Sequence, residues 1–152
     1  MMKRTLIGSL ILSASTLVGI AAYEGYEPVA KPPVPGDVPT NGFGATKNVK
    51  SGDKTDPVRA LIRLQADAEE HAKGIKECIK VPLFQYEFDA YLSLAYNIGV
   101  GAFCSSTLVK KLNGEEYLEA CKQILRWDKF KGSPLRGLTI RREGEYKKCL
   151  GQ

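Results

Sequence analysis

A single histidine, and four cysteines with no C-x-x-C spacing among them, leave no residue set that reads as a metal site. No helix-turn-helix, zinc-finger or RNP pattern occurs, and the basic residues alternate with acidic ones along the helical stretches, so nucleic acid is not an expected partner. Nothing in the pattern calls for a cofactor. No acidic residue precedes Glu24 and no cysteine lies near it, which excludes thiol exchange between the N-terminus and that region as a control device. The N-terminal uncharged stretch is not a strongly apolar run either: Gly8, Ser9, Ser13, Ser15, Thr16 and Gly19 dilute its Leu, Ile and Val.

What is present fits one domain of 152 residues and 16.7 kDa, long enough to bury a single core. A formal charge of +5 and a pI near 9.0 favour an anionic partner, either a membrane surface or the carboxylates of a cell-wall polymer. Most of that charge reads as solvated surface.

Lys3-Arg4 followed by Thr5 to Tyr23 has the order of a basic flank and a membrane-length helix. Each small or polar residue in place of Leu forfeits roughly 0.5–1 kcal/mol of partitioning, so insertion is marginal and reversible. A cleaved signal peptide is the alternative. A cut after Ala22 puts Ile20 at the −3 position, which is bulkier than usual, whereas a cut after Ala21 puts Gly19 there. The division expected is therefore a signal-anchor over residues 1–23 and a folded domain over 24–152, tethered to the inner membrane and later periplasmic. Four cysteines behind an export-like segment agree with an oxidising compartment.

Pro28, Pro32, Pro33, Pro35 and Pro39 rule out a helix between residues 28 and 55, where Thr40 to Thr46 reads as a short hairpin strand. Thr55-Asp56-Pro57 then opens a long helix ending near Cys78, with Val58, Leu61, Ile62, Leu64 and Ile75 as its inward face. A second helix carries Phe84, Phe88, Tyr91, Leu92 and Ala95 and stops at Gly99 and Gly101. A third covers Phe103 to Leu112. A fourth covers Glu115 to Arg126, with Tyr117, Leu118, Cys121, Ile124 and Leu125 inward. A last one runs from Leu138 to Leu150. The fold class is α+β, a small hairpin lobe before a helical bundle.

Cleaving a glycosidic bond takes a proton donor at the leaving oxygen and a second group on the opposite face of the sugar. Glu24, among Ala21, Ala22, Tyr23, Gly25 and Tyr26, has the partly dehydrated setting a donor needs. Asp37 lies in a Gly/Pro-rich turn open to solvent, and the Thr40 hydroxyl can orient a water. Glu24-Gly25, then an Asp, then Thr40-Asn41-Gly42-Phe43-Gly44, resembles the phage lysozymes, glycoside hydrolase family 24. So do the stretch from Gln85 to Gly101, Ser106-Thr107-Leu108, Arg126-Trp127, and Gly137-Leu138 with Arg141-Arg142-Glu143. In that family the Asp stands six residues before the Thr; here Val34 occupies that place and Asp37 lies three before Thr40.

The resemblance implies a lysozyme-like fold with a cleft between its lobes. It also implies a muramidase acting on the β-1,4 bond between N-acetylmuramic acid and N-acetylglucosamine, in an endolysin of the signal-anchor-release type. Glu24, Asp37 and Thr40 are the catalytic candidates. Asn97 and Phe43 are the substrate-binding ones, the Asn97 amide being suited to a sugar N-acetyl group or else to capping its helix. The other readings are a lytic transglycosylase and a membrane-tethered protein that grips peptidoglycan without cutting it. Arg141-Arg142-Glu143 reads as a structural ion pair beneath Glu24, Trp127 as a core residue between two helices, and His71 carries no role. A monomer is expected. Four cysteines allow three pairings; the helical order favours Cys78 with Cys104 and Cys121 with Cys149.

Overall fold

Asp56 fixes the start of the longest helix by accepting the Val58 and Arg59 N–H groups at 3.0 Å each, with Pro57 in the first turn where its missing donor costs nothing. The computed structural model describes all residues from Met1 to Gln152. Its helices are α1 (Ala14–Glu24), α2 (Pro57–Cys78), α3 (Gln85–Ile98), α4 (Val100–Cys104), α5 (Thr107–Asn113), α6 (Tyr117–Gln123) and α7 (Arg136–Cys149). Strands β1 (Glu27–Lys31) and β2 (Thr40–Gly42) pair antiparallel, and β3 (Lys129–Phe130) and β4 (Ser133–Pro134) form a second small hairpin. The α+β class and the helical order expected from sequence are both present.

α3 lies at the centre. Nine consecutive residues from Glu87 to Ala95 are buried in it, so it is enclosed on all sides by α1, α2, α4 and α7. Around it Phe88, Tyr91, Leu92, Phe103, Leu108, Leu112 and Ile124 make the main core. Disulfides Cys78–Cys104 and Cys121–Cys149 tie α2 to α4 and α6 to α7, the pairing the helical order favours. Their sequence separations of 26 and 28 residues correspond to roughly 3–3.5 kcal/mol each in the loop-entropy account.

Three expectations are corrected. α2 does not turn Val58, Leu61 and Ile62 inward: Val58 is 67% and Ile62 63% exposed, and the buried stripe is Ala60, Leu64, Ala68, Ala72 and Ile75. The reason is close approach. A Cβ on Gly42 of β2 would lie 2.9 Å from the Ala60 Cβ, so only small residues fit where the hairpin meets α2. The third helix is two, α4 and α5, because Ser106 accepts the Val109 N–H and starts a new helix. In the fourth, Leu118 and Leu125 point outward and Ala120 is buried in their stead; its end, Ile124–Arg126, is 3₁₀.

No helix is long and apolar enough to cross a membrane. The stretch from Thr5 to Tyr23 is broken here: Thr5 pairs with Leu83, Ile7–Ser9 forms a 3₁₀ turn, and Ser13 caps α1 by accepting the Thr16 N–H. Its irregular backbone bonds outside itself. The Leu10 carbonyl accepts from Lys76, and the Gln85 amide donates to the Ile11 carbonyl at 2.7 Å. Leu10 joins the main core, and Ile20 forms a smaller one with Leu64 and Ala68 of α2.

Candidate active site

Glu24 is the last residue of α1, and Gly25, at a φ of 70°, turns the chain out of the helix toward β1. The carboxylate is partly buried, and its Oε1 accepts from Arg141 Nη1 at 3.0 Å. Oε2 faces Gly44, whose added Cβ would lie 3.1 Å away. Gly44 also has a φ of +80°, a conformation that glycine adopts without strain. The hairpin therefore presses bare backbone against the carboxylate, and any side chain there would displace it. For Gly44→Ala, which asks the carboxylate to give by a few tenths of an ångström and puts a side chain at positive φ, we expect lower turnover on purified peptidoglycan and a lower melting temperature. Wild-type turnover would show that the close approach has no role.

Glu24 lines a cavity of about 340 Å³ together with Gly44, Thr46 and Lys47 from the hairpin side, Asp67, Glu70 and His71 from α2, and Tyr96 and Asn97 from the end of α3. That volume is in the range of small-ligand clefts. Two expected residues, Glu24 and Asn97, are brought together in it. The helix C-cap is Gly99, not Asn97. The Asn97 Oδ1 accepts from Arg142 Nη1 at 2.9 Å, which turns its amide NH₂ away from that arginine.

The other expected residues sit differently. Thr40 opens β2 opposite Lys31, and β2 leads through Gly42 and Phe43 to Gly44 at the cavity wall. Asp37 is exposed in the loop joining β1 to β2, where its N–H donates to the Val34 carbonyl at 3.1 Å. Phe43 packs against the Ile20 cluster and tilts on Tyr26 with ring centroids 5.5 Å apart. None of the three lines the cavity.

His71, to which the sequence assigned no role, lies on the cavity. Its Nδ1 donates to the Asp67 carbonyl at 2.7 Å, and its ring meets Tyr96 at 4.8 Å. Burial, together with the negative charges of Asp67 and Glu24, pushes the Tyr96 phenol up to about 12, so it remains a hydrogen-bond donor at any physiological pH. Asp67, Glu70 and His71 share one side of α2 at spacings of three and four, a pattern present in the sequence but indistinguishable there from a solvated helix face.

Beneath Glu24 lies a charge quartet that closes to zero. The acid is Glu145, where sequence pointed to Glu143. Arg141 Nε meets Glu145 Oε1 at 3.2 Å, and Arg142 Nε meets Oε2 at 2.7 Å. Ser93 donates to Oε1 at 2.7 Å. Arg142 is fully buried, and burial lowers its guanidinium below the ordinary value against the opposing pull of Glu145. Buried charges persist only when neutralised and hydrogen-bonded, and this set holds both Glu24 and Asn97 from below. Trp127 packs at the edge of the main core, as a structural tryptophan does.

A hairpin lobe, a helical lobe around a buried central helix and a carboxylate cleft define a lysozyme-type glycoside hydrolase. The chain belongs to the phage lysozyme family, whose model matches residues 21–145. It is 34% identical to the SAR-endolysin of Pseudomonas phage phiKMV over 154 residues, covering 98% of this chain and 93% of that one. Among solved structures, it is similar to an endolysin from Escherichia coli O157:H7 phage FAHEc1, with a TM-score of 0.83, 34% identity and coverage of 94% and 95%. It is also similar to the muramidase domain of SpmX from Asticaccaulis excentricus, with a TM-score of 0.86, 26% identity and coverage of 93% and 98%.

Proposed function

We propose that this endolysin-type hydrolase cleaves the β-1,4 bond between N-acetylmuramic acid and N-acetylglucosamine with Glu24 as proton donor. The observation that carries the reading is the position of Glu24, at the end of α1, on the cavity and anchored by Arg141 through one oxygen only. The protonated carboxyl gives its proton to the glycosidic oxygen as the C1–O bond breaks. Positive charge then develops on the sugar ring, and a water adds to C1. Neither Thr40 nor Asp37 lines the cavity, so this step requires the β1–β2 loop to close over the bound sugar, where Thr40 would hold the water and Asp37 take its proton. Asn97 binds an N-acetyl group, and Phe43 supports the hairpin wall.

A second reading is favoured by one observation: Asp37 is exposed in its loop, and Val34 holds the position where family members carry their Asp. In a lytic transglycosylase the sugar's own hydroxyl adds to C1 and returns a proton to Glu24, so a single carboxyl is enough. Mass spectrometry of digested peptidoglycan separates the readings. Hydrolysis leaves reducing ends and falls about 10²-fold in Asp37→Asn. Transglycosylation leaves 1,6-anhydro ends and does not depend on Asp37. Intact glycan with the wild-type protein overturns both.

The same proposal includes the N-terminus. Residues 1–23 serve first as a reversible anchor in the inner membrane, and residues 24–152 as the catalytic domain in the periplasm. While Thr5 to Tyr23 is in the bilayer, Glu24 is held at the membrane face and the cleft is incomplete. Collapse of the membrane potential releases the segment. The SAR-endolysin relative supports this reading, as does the broken, outward-bonded course of residues 5–13.

A further inference from the structure

The two basic residues ahead of the segment behave differently in the fold. Lys3 is exposed. Arg4 forms a fork on Glu87, with Nη2 at 2.8 Å from Oε1 and Nε at 3.0 Å from Oε2. The Glu87 side chain is 4% exposed, and its Oε2 also accepts the Phe84 N–H at 2.8 Å. The guanidinium carbon lies 3.5 Å from the centre of the Tyr117 ring and 4.6 Å from that of Phe84. Tyr117 is itself fixed by donating its hydroxyl to the Pro82 carbonyl at 3.0 Å. Next to it, Thr5 and Leu83 exchange both backbone hydrogen bonds, at 2.7 and 2.9 Å.

Without Arg4, this corner of the helical lobe would present a nearly buried carboxylate with one backbone partner, two aromatic faces and an unpaired strand edge. That is the chemistry of a receptor for a guanidinium at the end of an extended strand. We infer that Glu87, Phe84, Tyr117 and the Leu83 backbone form a docking site for the chain's own N-terminus, and that capture of Arg4-Thr5 there completes the active fold. The inference rests on the release reading above and adds what ends the release. Arg4 is part of the basic flank that stays on the cytoplasmic side while the segment is inserted. Its site on the body fills only after that charge has crossed the bilayer. Partial tilting of the segment therefore leaves the site empty, and closure reports complete exit. Lysine cannot substitute, because the site reads a planar fork between rings.

The two basic positions provide their own control, since Lys3→Gln and Arg4→Gln remove the same charge. In purified full-length protein, Arg4→Gln should speed amide hydrogen exchange at Thr5 and Leu83 at least tenfold, extend that loss of protection into α1 and lower peptidoglycan cleavage. Lys3→Gln should match the wild type in all three. Arg4→Lys, which keeps the charge, and Tyr117→Leu, which removes a ring, should reproduce the exchange change at both amides, and they carry the test if Arg4→Gln does not fold. Wild-type exchange at Thr5 and Leu83 in Arg4→Lys would overturn the inference. Fractionation of wild-type protein before and after the potential is collapsed tests release separately. A protein never found in the membrane removes the release reading, and the exchange result still decides the docking.

Discussion

Glu24→Gln is expected to lower cleavage of purified peptidoglycan by about 10³-fold while leaving the melting temperature within a few degrees of wild type. The amide matches the carboxyl in shape, keeps an oxygen for Arg141 Nη1 and still fits against Gly44. It has no proton to give the leaving oxygen. What it disturbs is charge balance: the quartet of Glu24, Glu145, Arg141 and Arg142 becomes net positive. Because Glu145 alone still accepts from both arginines and from Ser93, the loss is confined to the partly exposed end of the network. A binding protein that merely grips the wall would be indifferent to this change. Turnover within tenfold of wild type would remove Glu24 from the chemistry.

Replacing Gly8, Ser15, Gly19 and Ala22 with Leu should abolish lysis by holding the protein in the membrane. These positions are chosen because the folded state has room for them. A Cβ added at Gly8 or Gly19 meets nothing within 4 Å, Ser15 and Ala22 are exposed, and Gly19 and Ala22 border a cavity of about 300 Å³ between α1 and α7. The released fold is therefore little changed, whereas the inserted state gains roughly 0.5–1 kcal/mol per substitution, about 2–4 kcal/mol in all. That shifts the balance by about one and a half to three decades. On the anchor reading proposed above, the wild-type balance is close because the fold buries the segment only in part: Leu10, Thr16 and Ile20 are inside, but Leu6 is 74% and Val18 64% exposed. Full lysis by the Leu-substituted protein would refute the anchor reading. Cleavage by the same protein once solubilised would confirm that only its release was blocked.

Local signals and long-range packing divide what the sequence made legible. Helix starts and stops are marked by Asp56-Pro57 and Gly99, whose backbone preferences act within a few residues. The disulfide pairing followed from chain reversal between those stops. The buried faces of α2 and α6 depart from the pattern of large apolar residues because alanine lines the closest contacts there. Glu145 was missed in favour of Glu143 for a related reason. Adjacent residues on a helix diverge, and only spacings of three and four bring Arg142 and Arg141 onto one acid. The place of Glu24 on the cavity was legible through its motif. His71, Asp67 and Tyr96 were not, since nothing local shows that α2 and the end of α3 converge on the end of α1.

The most direct test of the account compares one preparation of the unprocessed chain in two places. Vesicles carrying the inserted protein, with the catalytic side facing added peptidoglycan, are assayed before and after the potential is collapsed. The account predicts negligible cleavage before, and cleavage afterwards by soluble protein whose intact mass still includes residues 1–23. Equal cleavage while the segment remains in the bilayer would contradict it, because Glu24 would then be working without α1 in the fold.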